Sequence, residues 1–266
     1  MRRALAIGAV LVLAGVPVAE ARTPLLRSVS KTVKLKDGLK KASVRCPRGY
    51  RVLHGAPTRP PLDAVTTRSV PGKGSRSWAF SFAADSSAKL RAVVRCGRHV
   101  AWTTRHRNNV KVAADATRLV KLRCPKGRTA VGYGHQQSVD LDTPQVPPRI
   151  DLYRARLSGR IASLGLRNDT TEDGSITVYV QCLKRPKGTR LRGKSFSDKV
   201  ASGERDKKHR CPRRTQVLSA GFDFDPDDGV IANAAYPSGK NGGRWRFESS
   251  LLDQARVKTF LLCLRG

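Results

Sequence analysis

Three times in this chain of 266 residues a cysteine is followed directly by proline, and each time one further cysteine closes the stretch. Cys46-Pro47, Cys124-Pro125 and Cys211-Pro212 are answered by Cys96, Cys182 and Cys263, which uses every cysteine present. Such punctuation describes a threefold repeat. It selects the disulfide pairing Cys46–Cys96, Cys124–Cys182 and Cys211–Cys263. Zinc is the competing use of thiols, but the chain has no Cys-x-x-Cys pair and each copy supplies only two sulfurs.

The residues before each closing cysteine alternate with period two. Leu90, Ala92 and Val94 lead to Cys96, Ile176, Val178 and Val180 to Cys182, and Val257, Thr259 and Leu261 to Cys263. This predicts a β-strand whose cysteine faces inward. Eighteen residues earlier stand Trp78, Leu164 and Trp245, with Phe80, Leu166 and Phe247 two further on. These read as matching core anchors of a second strand. Ala42 and Val44 before Cys46, and Val120 and Leu122 before Cys124, predict a third strand. The third copy has Lys207 and His209 there, so that strand is expected to fray or lie at an edge. Proline after each opening cysteine ends pairing, and Gly49 and Gly127 permit a tight turn, whereas copy three has Arg214. Further strands are expected over 64–70, 150–157 and 230–236. No stretch has helical periodicity.

The fold class is therefore all-β: three tandem, small, antiparallel β-sandwich-like repeats with one disulfide each, or alternatively a threefold β-prism. The expected boundaries are a signal peptide over 1–21 and repeats over 22–104, 105–190 and 191–266. The segments 97–109 and 183–194 are basic and poor in apolar residues, and read as linkers or exposed loops between repeats. The pattern resembles the disulfide-closed Cys-Pro-x-Gly…Trp…Cys β repeats of secreted actinobacterial proteins. That resemblance implies a fold and a compartment, and no activity.

Arg2 and Arg3, the apolar run 4–18 and Ala19-Glu20-Ala21 form an export signal with an A-x-A cleavage site. The run is shorter than the ~20 residues that span a bilayer. The expected destination is extracellular or the cell envelope, where cysteines oxidise. The 52 Lys and Arg outnumber the 20 Asp and Glu, a formal net charge of +32. A chain so basic attracts polyanions at low salt.

Charge recurs in position as well as in number. Arg45, Arg123 and Arg210 each precede an opening cysteine, and Lys41, Lys121 and Lys208 lie two or four residues back. Period two turns them all outward, and Arg91 and Arg95 extend the strip in copy one. The expected partner is an anionic polymer, an envelope polysaccharide or phosphate polymer. Nucleic acid binding in vitro is expected from charge alone, without a recognition motif. Asp223, Asp225, Asp227 and Asp228 resemble a calcium loop. Asp228 takes the place of the EF-hand glycine, however, and Ala234 that of the terminal glutamate. The sequence implies no cofactor. It has no Gly-x-Ser-x-Gly, His-Glu-x-x-His or phosphate-binding loop. An acid–base pair drawn from Asp140, Asp142, Asp151, Glu172 and Asp173 leaves a secreted hydrolase as one alternative, and a structural spacer without a ligand is another.

Overall fold

Period-two alternation, prolines after the cysteines and the lack of helical patterning together give a chain of strands. The computed structural model describes residues 25–36, 38–58, 64–72, 76–84, 87–137, 150–185, 188–249 and 254–265. The expected signal peptide lies outside them.

Eighteen strands succeed one another among the described residues. The first six are β1 (Leu25–Lys34), β2 (Gly38–Arg45), β3 (Tyr50–Thr58), β4 (Ala64–Pro71), β5 (Ser77–Ala84) and β6 (Lys89–Arg98). Next come β7 (Ala101–Val112), β8 (Ala116–Arg123), β9 (Arg128–Gln137), β10 (Ile150–Ser158), β11 (Ile161–Asn168) and β12 (Gly174–Lys184). The last are β13 (Arg190–Val200), β14 (Gly203–Arg210), β15 (Thr215–Phe224), β16 (Val230–Ser238), β17 (Gly242–Ser249) and β18 (Ala255–Arg265). A 3₁₀ turn, Pro226–Asp228, separates β15 from β16.

Pairing is antiparallel and repeats in order along the chain. β6 lies between β1 and β3, β12 between β7 and β9, and β18 between β13 and β15. β5 lies between β2 and β4, β11 between β8 and β10, and β17 between β14 and β16. Two further ladders cross from one stretch to the next, β4 to β9 and β10 to β15. The result is four sheets of three, six, six and three strands. The expected separate sandwiches are thus corrected: two sheets run across the boundaries between copies.

The third seam, where β16 packs beside β3, carries no ladder. The reason is in the sequence. Eleven residues after the opening cysteines stand His135 and Phe222, the residues paired at the first two seams. The matching residue on β3 is Pro57, which has no N–H to donate.

The basic segments expected to be linkers are strands instead. β7 takes up most of 97–109, β13 begins within 183–194 at Arg190, and the boundary at 104/105 falls inside β7. Both are edge strands, where exposed charge is compatible with pairing on one side and guards the other.

All three expected disulfides are present, between Cys46 and Cys96, Cys124 and Cys182, and Cys211 and Cys263. Near each, the strand after the opening cysteine carries a β-bulge. The ladders skip Leu53, Val131 and Leu218, each seven residues after its cysteine. The three bulged side chains are fully buried in one cluster with Leu183 and Leu264. β3, β9 and β15 therefore meet around a common centre, and their approach is close. A Cβ at Gly132 would stand 2.1 Å from the Leu53 carbonyl oxygen.

The tryptophans are core residues as expected, but they do not match each other. Phe80, Leu164 and Trp245 face Ala42, Val120 and Lys207, each four residues before its opening cysteine. Trp78 stands one inward position away, opposite Val44. Copy one has two fewer residues between Phe82 and its closing cysteine than the other copies have after Leu166 and Phe247, so counting back from that cysteine misaligns it. The Trp78 indole donates to Ser69 Oγ at 3.0 Å, and that of Trp245 to the Gly221 carbonyl at 2.8 Å.

β14 does not fray. It pairs with β17 over its whole length, at a sheet edge. His209 replaces an apolar residue by stacking on Phe196, centroids 3.9 Å apart, with Nε2 2.9 Å from Asp198 Oδ2.

Candidate functional site

The strand preceding each opening cysteine (β2, β8, β14) lies at a sheet edge and shows its charged face to solvent. Lys41 and Arg45, Lys121 and Arg123, and Lys208 and Arg210 are all exposed. Cross-strand register adds partners that sequence reasoning did not reach. Lys41 lies in a row with Ser81 and Arg68, Lys121 with Ser163 and Arg156, and Lys208 with Arg244 and Tyr236. Neighbouring strands are about 4.8 Å apart, so each row spaces its cationic side chains along a direction transverse to the strands.

Arg91 is exposed, as expected, and donates from Nε to Ser30 Oγ at 2.7 Å. Arg95 corrects the expectation. It is 2% exposed and belongs to no outward strip. Its guanidinium donates to Ser28 Oγ at 2.9 Å, the Gly239 carbonyl at 3.0 Å and the Lys240 carbonyl at 3.2 Å. Alternation holds along β6, whose register with β1 is unbroken, so Arg95 shares the outward face with Arg91; that face is covered at Arg95 by the turn carrying Gly239 and Lys240. Burial lowers the Arg95 pKa to about 10.

Where β16 packs beside β3, Thr32, Thr58, Lys89, Leu90, Arg91, Tyr236 and Arg244 line a surface cleft of about 410 Å³. Arg91 is its centre, flanked in register by Thr32 on β1 and Thr58 on β3. Among the described residues no carboxylate lines it.

A second cavity, of about 100 Å³, is lined by β3, β4, β9, β10, β15 and β16. His54, Tyr133, His135 and Asp151 are among its walls. His54 is buried, and neither ring nitrogen has a hydrogen-bond partner among the described residues. Desolvation lowers its pKa to about 4; the Ala235 backbone offsets a little of this without reaching hydrogen-bond geometry. His135 Nε2 lies 3.0 Å from the Thr66 carbonyl oxygen. Its pKa is also lowered by burial, against opposing contributions from Thr66 and Asp151. Burial raises the Tyr133 phenol, whose hydroxyl donates to the Ala220 carbonyl at 3.3 Å.

The acidic loop meets arginines. Asp223 Oδ1 accepts from Arg154 Nε at 2.6 Å, Asp225 caps the 3₁₀ turn by accepting from Asp227 N, and Arg167 donates to the Pro226 carbonyl. No group of three or more His, Cys, Asp or Glu side chains is placed to hold a metal among the described residues. Of the carboxylates considered for catalysis, Asp140 and Asp142 lie outside the described residues. Asp173 accepts from Ala114 N at 3.0 Å, in the turn between β7 and β8.

No family model matches the chain, and no curated protein matches it.

Proposed function

We propose that the protein is a secreted, non-enzymatic binder of anionic polymers of the cell envelope or its surroundings. The observation that carries this reading is the recurrence of exposed cations at the same place after each turn of the strand pattern. Arg45, Arg123 and Arg210 occupy equivalent edge positions, and each is accompanied by an exposed lysine on its own strand. We infer that the four sheets are one six-strand unit used three times about a common centre, as in the resembling secreted actinobacterial repeats. Two hydrogen-bonded seams and one open seam then account for the division into three, six, six and three strands. A repeated surface engaging a repetitive polymer gains avidity without any single strong contact. The three disulfides and the N-terminal export signal agree with an oxidising destination.

The test is the partition of the oxidised protein between its own envelope polymers and buffer across a salt series. The expected result is retention that falls linearly on logarithmic axes, with a slope that counts released counterions. The triple substitution Arg45→Ser, Arg123→Ser and Arg210→Ser should flatten that slope by about three. Removing three exposed arginines elsewhere should have a smaller effect on retention. Equal losses from both triples would reject the special status of the edge arginines, and absence of retention at low salt would reject polymer binding.

A further inference from the structure

The second and third seams differ in charge as well as in hydrogen bonding, and the difference isolates one place. At the second seam, Asp223 lies beside Lys258 in register and bonds Arg154 across the seam at 2.6 Å. The acid there answers cations from both sides. Asp223 stands twelve residues after its opening cysteine; the matching residue in copy one is Thr58. The residue that matches Lys258 by distance from the closing cysteine is Arg91, and Thr58 is its register partner. Arg154 and Ala234 each stand one residue before the alanine that faces Leu164 or Trp245, so the cross-seam arginine is also missing at the third seam. The third seam thus keeps the strand cation and has lost its acid. Arg244, brought in by β17, and Lys89 add two more positive charges to the same cleft.

We propose that this cleft is a binding site for one phosphodiester group of a polyol-phosphate polymer. The inference deepens the polyanion reading and rests on it. The donors decide the ligand class. Two guanidinium groups and one ammonium are joined by the hydroxyls of Thr32, Thr58 and Tyr236, contributed from both sides of the seam. A tetrahedral phosphate presents acceptor oxygens in several directions and can meet donors on two walls at once. A planar carboxylate presents two oxygens in one plane and leaves one wall unanswered. The cleft is open to solvent at Lys89, Arg91 and Thr32, so a chain can run through it. Tyr236 is the one aromatic residue lining it among the described residues, too little for the successive base stacking that single-stranded nucleic acid uses.

The experiment is a calorimetric titration of the full oxidised chain with a glycerol-phosphate hexamer at moderate salt. Inorganic phosphate, a polyglutamate hexamer and a thymidine oligonucleotide of equal charge serve as separate titrants. One saturating site per chain is expected for the glycerol-phosphate hexamer, with about tenfold weaker binding of polyglutamate. Thr58→Asp, which copies the second seam, should weaken the hexamer about tenfold, and Arg244→Gln about fivefold. Arg244 is partly exposed, so that variant reports even where Thr58→Asp disturbs folding. Arg192→Ser, at an exposed position of β13 that belongs to neither the cleft nor the edge arginines, should leave hexamer affinity within about twofold. Equal affinity for polyglutamate, tighter binding of the oligonucleotide, or indifference to both cleft variants would overturn the site. Inorganic phosphate binding as tightly as the hexamer would overturn its assignment to a polymer. Hexamer binding without retention on envelope polymer would leave the cleft standing and remove the broader function.

Discussion

The guanidinium of Arg95 on β6 donates to the carbonyl of Lys240, 145 residues further along the chain, at 3.2 Å. With its bond to Gly239, this fastens the first third of the chain to the turn between β16 and β17. It does so beside the seam where Pro57 denies the backbone a ladder. A side chain thus takes over a closure that backbone hydrogen bonds provide at the other two seams.

That contact has two opposed parts. Charge-assisted bonds to neutral carbonyls stabilise it, while desolvation of the guanidinium, visible in its depressed pKa, works against it. Arg95→Met keeps most of the volume and removes both parts, so global stability should change by about 1 kcal/mol or less. Arg95→Ala leaves a cavity and should cost about 3 kcal/mol. Urea titration distinguishes the two. Hydrogen exchange of β3 and β16 should quicken in the Met variant relative to β9, and unchanged exchange there would refute the closure role.

His54 makes stability depend on pH. Its folded pKa, about 4, lies below the unfolded value of 6.5. The unfolded chain therefore binds this proton first as pH falls, and the contribution is intact above pH 6.5. It is lost progressively down to pH 4 and levels off below. The full loss is about 3 kcal/mol, and His135, shifted in the same direction, adds to it. Urea midpoints at pH 7.5 and 4.5 measure the effect, and His54→Leu should flatten the dependence. An identical slope in that variant would assign it elsewhere.

Arg214 sits in the left-handed region, φ 60°, at the turn position that Gly49 and Gly127 occupy at φ 79° and 77°. Its exposed side chain contributes no burial to offset the strain. Arg214→Gly should stabilise by roughly 0.5–1 kcal/mol, the relief of strain exceeding the added freedom of the unfolded glycine. Gly49→Arg should destabilise by a similar amount. A lower melting temperature for Arg214→Gly would contradict this.

Each disulfide spans 50 to 58 residues and joins strands of different sheets. Loops of this length restrict the unfolded chain by about 4 kcal/mol each. Removing one pair by Cys124→Ala and Cys182→Ala should lower stability by about that amount. Full reduction should abolish the cooperative melt at physiological temperature. A melt with an unchanged midpoint under reductant would show that the core suffices alone.

Local pattern made much of this protein legible. Alternation toward Cys96, Cys182 and Cys263 fixes which residues face inward, because side-chain direction in a strand depends only on parity. The Cys-Pro recurrence fixes the disulfide pairing, and the outward exposure of Arg45, Arg123 and Arg210 comes from the same parity. Where parity breaks, or a distant segment covers an outward face, sequence reading fails. The bulges at Leu53, Val131 and Leu218 turn those side chains into a shared cluster, and Arg95, outward by parity, is buried because a turn 145 residues away packs over it. Two residues fewer after Phe82 shifted Trp78 away from Trp245. β7 and β13 read as linkers because an edge strand can be basic and weakly patterned when its partner supplies the hydrogen bonds.

The sequence by itself determined the strand content, which rests on neighbours a few residues apart, and the cysteine partners, which the Cys-Pro recurrence marks. Only the tertiary structure decided how the copies join. Whether a seam is laddered depends on which backbone N–H meets which carbonyl across the chain, and at the third seam Pro57 offers none. The same long-range packing set Arg244 opposite Lys89 and Arg91, with Thr58 where the second seam has Asp223. Repulsion or attraction between residues more than 150 positions apart has no local signature, and so the basic cleft became visible only in the fold.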